Sequence, residues 1–238
     1  ETGAGLSRVL DGLRRIESRA LHRNPELVRF AAAHYTRGLA AHGIIAAWKH
    51  FPGLGRAAAD THWFAAQIPA SVAALRESDW VPFYAAASRG RDSQSQMPLP
   101  PWIMLGHAEL PALDVTHGAA HSPAIVRLLR DPSGLDFQGV LITDDFNMRP
   151  IVNSPGGMPG AAVRALNAGV DLLLISYDGE NTYPVLQQLV RAEQAGRLDR
   201  SALARSRDRL RSAARCASAH ARARPDAETR AACAPSSQ

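Results

Sequence analysis

Four short, largely apolar stretches of this chain each run straight into polar residues. Residues 44–48 lead into Lys49-His50, 102–105 into Gly106-His107, 139–142 into Thr143-Asp144-Asp145, and 171–175 into Ser176-Tyr177-Asp178. A strand that is apolar on both sides is covered on both faces, and the architecture that does this is a parallel sheet with helices packed over it. Helical patterns fill the intervals. Asn24-Pro25-Glu26 supplies an N-cap, a first-turn proline and an acid at the positive end of the helix dipole, and the helix then carries Leu27, Phe30, Ala31 and Tyr35 as far as Gly43. Ser122-Pro123 opens a second helix bearing Ile125, Val126, Leu128 and Leu129. Further helices are predicted over 161–168, ending at Gly169, and over 184–195 and 199–215. With 6–10 read as another short strand ending at Asp11, the chain holds about five βα units. Segment 88–101 is polar and proline-rich and reads as loop. The polar residues gather at the carboxyl ends of the strands, where sites form both in open doubly wound sheets and in (β/α)8 barrels; the pattern leaves either in play.

Composition removes other classes. The chain has 238 residues, 46% hydrophobic and 21% charged, as in an ordinary globular domain. No apolar run approaches the ~18 residues of a membrane span. The net charge of +5 is concentrated: 197–230 holds ten arginines against Asp199, Asp208, Asp226 and Glu228. A basic tail with few aromatics reads as a solvated helix and frayed end, so no nucleic-acid partner is expected. Cys216 and Cys233 both fall there and read as neither a disulfide framework nor a metal motif. The expected organisation is one α/β domain over 1–215 and a disordered Ala/Arg-rich tail over 216–238. No signal peptide is visible and the sequence opens Glu1-Thr2-Gly3; a cytoplasmic location and a monomer are the expectations.

Three polar clusters carry the chemistry. Lys49 is the single lysine among 27 basic side chains. Where arginine serves as the general cation, a surviving lysine points to a site that needs a compact, rotatable ammonium. Lys49 and His50 precede Phe51-Pro52-Gly53-Leu54-Gly55, whose glycines let backbone approach a ligand. A strand-end cation beside a packed histidine is the commoner meaning of such a pair. Asp60-Thr61-His62 puts a carboxylate two residues from an imidazole, so that the acid can orient the ring for proton transfer. A solvated loop, or a metal site with His50, Asp60, His62 and His107 as ligands, are the other readings; the chain lacks the usual zinc spacings, so no metal and no cofactor are expected. Asp144 and Asp145 are adjacent at a strand end and point in different directions. One would face a pocket, as a nucleophile or a ligand, and the other would hold a neighbouring loop or helix start.

Taken in order, the clusters resemble the bacterial β-N-acetylhexosaminidases of glycoside hydrolase family 3. The resemblance is carried by Lys49-His50-Phe51-Pro52-Gly53-Leu54-Gly55, Asp60-Thr61-His62, Met104-Leu105-Gly106-His107, Pro111-Ala112-Leu113-Asp114, the run from Phe137 through Thr143-Asp144-Asp145 to Met148, and Ala168-Gly169-Val170-Asp171-Leu172-Leu173-Leu174. Ser18-Arg19-Ala20-Leu21 and Asn24-Pro25-Glu26-Leu27 extend it. The resemblance implies a (β/α)8 barrel, incomplete in this chain and represented by about its last five units. It further implies Asp144 as nucleophile, His62 as acid/base with Asp60 as its partner, Arg19, Lys49 and His50 holding an N-acetylglucosamine ring, and Met148 as a pocket wall. The implied partner is a carbohydrate, in the family typically a cell-wall muropeptide, and the implied activity is retaining hydrolysis that releases terminal β-N-acetylglucosamine; a phosphorylase on the same scaffold, or an inactive sugar-binding or partner-dependent fragment, are the alternatives. The first three strands of the family's barrel, with the acid and glycine-rich turn of the third, have no counterpart here; an upstream segment is expected to supply them.

Overall fold

The structure, a computed structural model, describes residues 20–57, 59–87, 99–176 and 179–222. The expected strand at 6–10, Arg19, most of the 88–101 loop, Tyr177, Asp178 and the end of the tail lie outside the described residues. Helix α1 (Pro25–Ala40) is followed by strand β1 (Ala47–Phe51), helices α2 (Val72–Glu77) and α3 (Val81–Ala87), and strand β2 (Trp102–Leu105). A hairpin of β3 (Glu109–Leu110) and β4 (Asp114–Gly118) leads through a short 3-10 turn into α4 (Pro123–Arg130). Then come β5 (Leu141–Asp145), α5 (Arg149–Val152), α6 (Gly157–Ala168), β6 (Leu172–Leu174), α7 (Gly179–Gln194) and α8 (Arg200–Arg222). Four strands form one parallel sheet in the order β1-β2-β5-β6, which agrees with the parallel α/β expectation.

The helix starts follow their cap chemistry. The Asn24 side chain accepts from the Glu26 N–H, Ser71 from Ala74 and Ser122 from Ile125. The core between sheet and helices includes Phe51, Ile103, Leu105, Leu141, Ile125, Leu129, Phe146, Ala161 and Ala165, each fully enclosed. Small alanines on α6 let it lie close to the sheet, and Gly169 closes it in the left-handed region at φ 100°.

Strands β1, β5 and β6 begin later than the apolar runs. β1 is 47–51 and not 44–48, so Lys49 and His50 lie within the strand. Ala47 and Lys49 are exposed while Trp48 and Phe51 are buried, so β1 is covered on one face only. Among the described residues it is an edge strand, and the double coverage expected from its apolar content holds for β2, its inner neighbour. β5 likewise extends through Asp145, because Thr143 is used by the sheet: its Oγ1 accepts from the Leu174 N–H at 3.0 Å.

Elements without an expected counterpart are α2, α3, the β3–β4 hairpin and α5. The first two are short, and their apolar residues pack around Phe51, with the Trp80 ring stacked at 5.5 Å and Phe83 edge-on at 5.2 Å. The last helix, expected to stop near Arg215, continues to Arg222. Within it Cys216 is buried beside Ala40 and Leu99 and is disulfide-bonded, a cross-link that the cysteine spacing did not suggest.

At the opposite end of the sheet from the polar clusters, Asp171 is completely buried between two arginines. Arg130 Nη2 lies at 2.7 Å and Arg209 Nη2 at 2.6 Å. Asp171 also accepts from the Leu141 N–H at 2.8 Å. Arg130 donates onward to the Phe137 and Gly139 carbonyls. Burial pulls the Arg130 guanidinium down to about 10, against the opposing pull of Asp171. This cluster ties α4 and α8 to the starts of β5 and β6.

Candidate active site

β5 places Asp144 and Asp145 at its carboxyl end, and the two side chains are used differently. Asp145 Oδ1 accepts from the Asn147 N–H at 3.0 Å, the Asn147 amide at 3.2 Å and the Ser176 N–H at 3.1 Å. The Ser176 hydroxyl donates to Oδ2. Burial acts to raise the Asp145 carboxyl, but the bonds from Ser176 and Asn147 outweigh it and hold the group below the ordinary carboxylate range. Asp145 therefore staples the end of β5 to the loop after β6, the task expected of one member of the pair. Asp144 keeps more of its capacity: Oδ1 accepts from the Asp145 N–H at 2.9 Å, and Oδ2 faces His50 Nε2 at 3.5 Å.

His50 reaches Asp144 because β1 and β5 flank β2 in the same sheet. The Lys49–His50 and Phe51–Pro52 peptides are both cis. Gly53 turns the chain at φ 106°, where a Cβ would press to 3.0 Å from the Asp79 side chain. The Pro52 carbonyl accepts from Trp80 Nε1 at 2.9 Å, which fixes the start of the loop.

That loop carries Asp60 and His62. Asp60 Oδ1 accepts from the His62 N–H at 2.9 Å and lies 2.6 Å from Nδ1. With Nδ1 donating to the carboxylate, Nε2 is the nitrogen left to give or take a proton. Asp60 is mostly covered, at 10% side-chain exposure, while His62 is 47% exposed. The loop is tied to the segment that follows β5 by a bond from the Arg149 N–H to the His62 carbonyl at 3.1 Å. The Arg149 guanidinium also lies over the Trp63 ring, 5.0 Å from its centre.

The other expected positions divide. Lys49 is exposed on β1 and lines, with Gly53, Asp60 and His62, a cleft of about 1510 Å³ between α1 and the loop; His50 and Asp144 lie outside its lining. Met148 is buried and caps α5, with its N–H bonded to the Asp145 carbonyl at 3.2 Å. The four residues of the metal reading do not gather: among the described residues no three His, Cys, Asp or Glu side chains form a metal-sized group.

A further histidine pair sits behind the strand end. His107 Nε2 donates to the Asp145 carbonyl at 3.1 Å, and the ring stacks on buried His121 at 5.9 Å with Phe146 against both. Burial lowers His107, which Asp144 partly offsets, and burial with nearby positive charge takes His121 to about 3. Both rings are neutral at pH 7. Gly118 makes this packing possible, because a Cβ there would lie 2.4 Å from the His107 carbonyl. Position 107 was visible as a strand-end histidine, but its partner His121 had no sequence signal.

Relatives extend the comparison. A beta-hexosaminidase of Stenotrophomonas maltophilia (strain R551-3) is 35% identical over 167 residues, which is 70% of this chain and 46% of that protein. Beta-hexosaminidase LpqI of Mycobacterium tuberculosis is 32% identical over 194 residues, 80% of this chain and 47% of that protein. The chain thus spans about half the length of the curated relatives it matches. Among solved structures, a glycoside hydrolase family 3 β-N-acetylglucosaminidase of Paenibacillus sp. str. FPU-7 superposes with a TM-score of 0.73 at 29% identity, over 85% of this chain and 36% of that one. Residues 9–213 match the glycosyl hydrolase family 3 N terminal domain, and the chain belongs to that family.

Proposed function

We propose that this chain carries the catalytic residues of a retaining β-N-acetylhexosaminidase that releases terminal β-N-acetylglucosamine, with muropeptide fragments as the natural substrate. The relatives named beta-hexosaminidase and the β-N-acetylglucosaminidase structure support the activity class. In this reading Asp144 attacks the anomeric carbon and forms a glycosyl-enzyme as the leaving oxygen departs with a proton from His62 Nε2. His62 then removes a proton from the incoming water, which displaces the sugar from Asp144. Asp60 holds the ring through Nδ1 in both steps. Lys49 and His50 bind sugar hydroxyls, and Arg19 joins them. We further propose that the parallel strands belong to an eight-stranded barrel, the architecture of the family, whose remaining strands an upstream segment supplies.

The observation that carries this reading is the division of labour at the end of β5. Asp145 is committed to structural hydrogen bonds, while Asp144 faces His50 beside a loop that holds a carboxylate–imidazole pair at 2.6 Å. The test is active-site labelling of the full-length polypeptide with a 2-fluoro β-N-acetylglucosaminide analogue or an equivalent slow substrate. A covalent adduct on the peptide containing Asp144, lost in Asp144→Asn, is the expected result. An adduct on Asp145 would overturn the assignment, and no adduct with steady turnover would overturn the retaining mechanism.

A further inference from the structure

We propose that His107 is a positioning residue for the nucleophile: it fixes the main chain at Asp144-Asp145 and so aims the Asp144 carboxylate. This rests on the reading of Asp144 as the nucleophile. The sheet alone does not hold that point of β5. Pairing between β2 and β5 ends at Leu105 and Thr143, and pairing between β5 and β6 is irregular between Ile142 and Asp145, so Asp144 has a paired residue on neither side. Its carboxylate takes its direction from the main chain just after it. Oδ1 accepts from the Asp145 N–H at 2.9 Å, which leaves Oδ2 toward His50. A small rotation of that main chain would turn the carboxylate away from its target, and a misplacement of about 1 Å can cost about 10²-fold in rate.

His107 supplies a tie that the ladder lacks. It lies two residues past the end of β2, and its Nε2 reaches across to the Asp145 carbonyl at 3.1 Å. The ring is itself locked. It is 4% exposed, stacks on His121 at 5.9 Å with the planes 11° apart, and meets Phe146 at 6.0 Å. The turn that carries His121 is bonded back to the end of β2, with the Ala120 N–H donating to the Gly106 carbonyl at 3.1 Å and the Ala119 N–H to the Ala108 carbonyl at 2.9 Å.

Packing alone does not explain an imidazole at this position. Nε2 must carry the proton to donate to the carbonyl, which leaves Nδ1 as a bare acceptor. Nδ1 is buried and has no hydrogen-bond partner among the described residues. An unpaired buried acceptor is destabilising, and a phenyl ring of similar shape would avoid it. What the phenyl ring lacks is the donor to Asp145. Burial also keeps the His107 ring uncharged beside Asp144, so the contact gives direction without pairing off the carboxylate's charge.

The experiment follows labelling of Asp144 by the 2-fluoro analogue, with kcat and KM for an aryl β-N-acetylglucosaminide, in the full-length polypeptide and two variants. His107→Phe fills the space without the donor, and His107→Gln returns an amide N–H near the place of Nε2. His107→Phe is expected to keep KM and Tm near wild type while kcat and the labelling rate fall about 10²-fold. His107→Gln is expected to recover at least about tenfold of that loss. A wild-type labelling rate in His107→Phe, or equal losses in the two variants, would overturn the proposal. Wild type that turns over substrate but does not label Asp144 would overturn the reading beneath it, and the proposal with it. Should His107→Phe not fold, the 15N spectrum of histidine-labelled wild type at pH 7 decides: a His107 ring protonated on Nε2 supports the tie to Asp145, and one protonated on Nδ1 overturns it.

Discussion

The residue that separates structure from chemistry most clearly is Asp145. From the sequence alone, two aspartates at one strand end carry equal weight, and only their opposite directions are readable. The geometry shows which of them the fold consumes. Asp145→Ala removes acceptors for the Ser176 hydroxyl, the Ser176 and Asn147 N–H groups and the Asn147 amide, and leaves partly buried donors unpaired. A loss of about 1–3 kcal/mol, seen as a lower Tm, is expected. Asp144→Asn is expected to leave the stability within about 1 kcal/mol of wild type and to abolish turnover of an aryl β-N-acetylglucosaminide. Thermal melts of the two variants measured beside their activities check both expectations; a large Tm loss in Asp144→Asn with retained activity would exchange the roles. His62→Ala belongs with them. Leaving groups of low basicity need no proton, so this variant should slow natural saccharides far more than activated aryl glycosides. Equal slowing would remove His62 as the acid.

At the scale of elements, legibility followed the type of signal. Helices α1, α4 and α6 were readable because their ends carry chemistry: an asparagine or serine cap, a first-turn proline, a terminal glycine. The strands were readable from apolar content, but their ends were not, because Lys49, His50 and Thr143–Asp145 are polar residues that continue the ladder. The β3–β4 hairpin was missed because its strands are too short for an apolar pattern and its turn is held by Asp114, which accepts from Thr116, His117 and Ser122. Of the candidate site, the Asp60–His62 pairing was legible from local spacing, and the Asp144–Asp145 pair from its place at a strand end without a choice between the two. The His50–Asp144 approach and the His107–His121 stack join elements distant in sequence, so no spacing encodes them.

The same stack predicts how the fold responds to acid. His121 has a folded-state value of about 3 against 6.5 for the free side chain, and His107 is lowered as well. A histidine lowered by folding binds more protons when unfolded, so stability is full above about pH 6.5 and falls as the pH drops below it. The slope is at most about 1.4 kcal/mol per pH unit for each ring. Asp145 acts in a lower window: its stabilising bonds are intact above 3.8 and are lost below it. Urea midpoints measured from pH 7.5 to 4.5 should therefore decline, and His121→Gln should flatten the decline even if it starts from a lower midpoint. A midpoint independent of pH over that range would show that the buried rings do not titrate on unfolding.

For the whole molecule, two features pull in opposite directions. The buried Asp171 cluster binds β5, β6, α4 and α8 into one unit, and Asp171→Ala would leave Arg130 and Arg209 facing each other without their carboxylate. A cost of about 3–5 kcal/mol follows for that variant. The sheet, by contrast, ends at β1 and β6 with no further strand beyond either among the described residues. β1 has one face exposed, α1 turns Leu27, Phe30 and Tyr35 outward, and α7 does the same with Tyr183, Leu186 and Val190. Unpaired edges flanked by apolar helix faces recruit other chains unless something covers them. In the proposed barrel the strand expected at 6–10 would lie beside β1, and the upstream strands would close the gap between it and β6. The 238-residue polypeptide expressed alone is therefore expected to self-associate and to melt without a sharp transition. Supplying the upstream strands, joined or as a separate piece, should yield a monomer with a cooperative melt and turnover. Light scattering and calorimetry on the two preparations decide: a monodisperse, sharply melting and fully active 238-residue polypeptide would show that its edges need no partner strands.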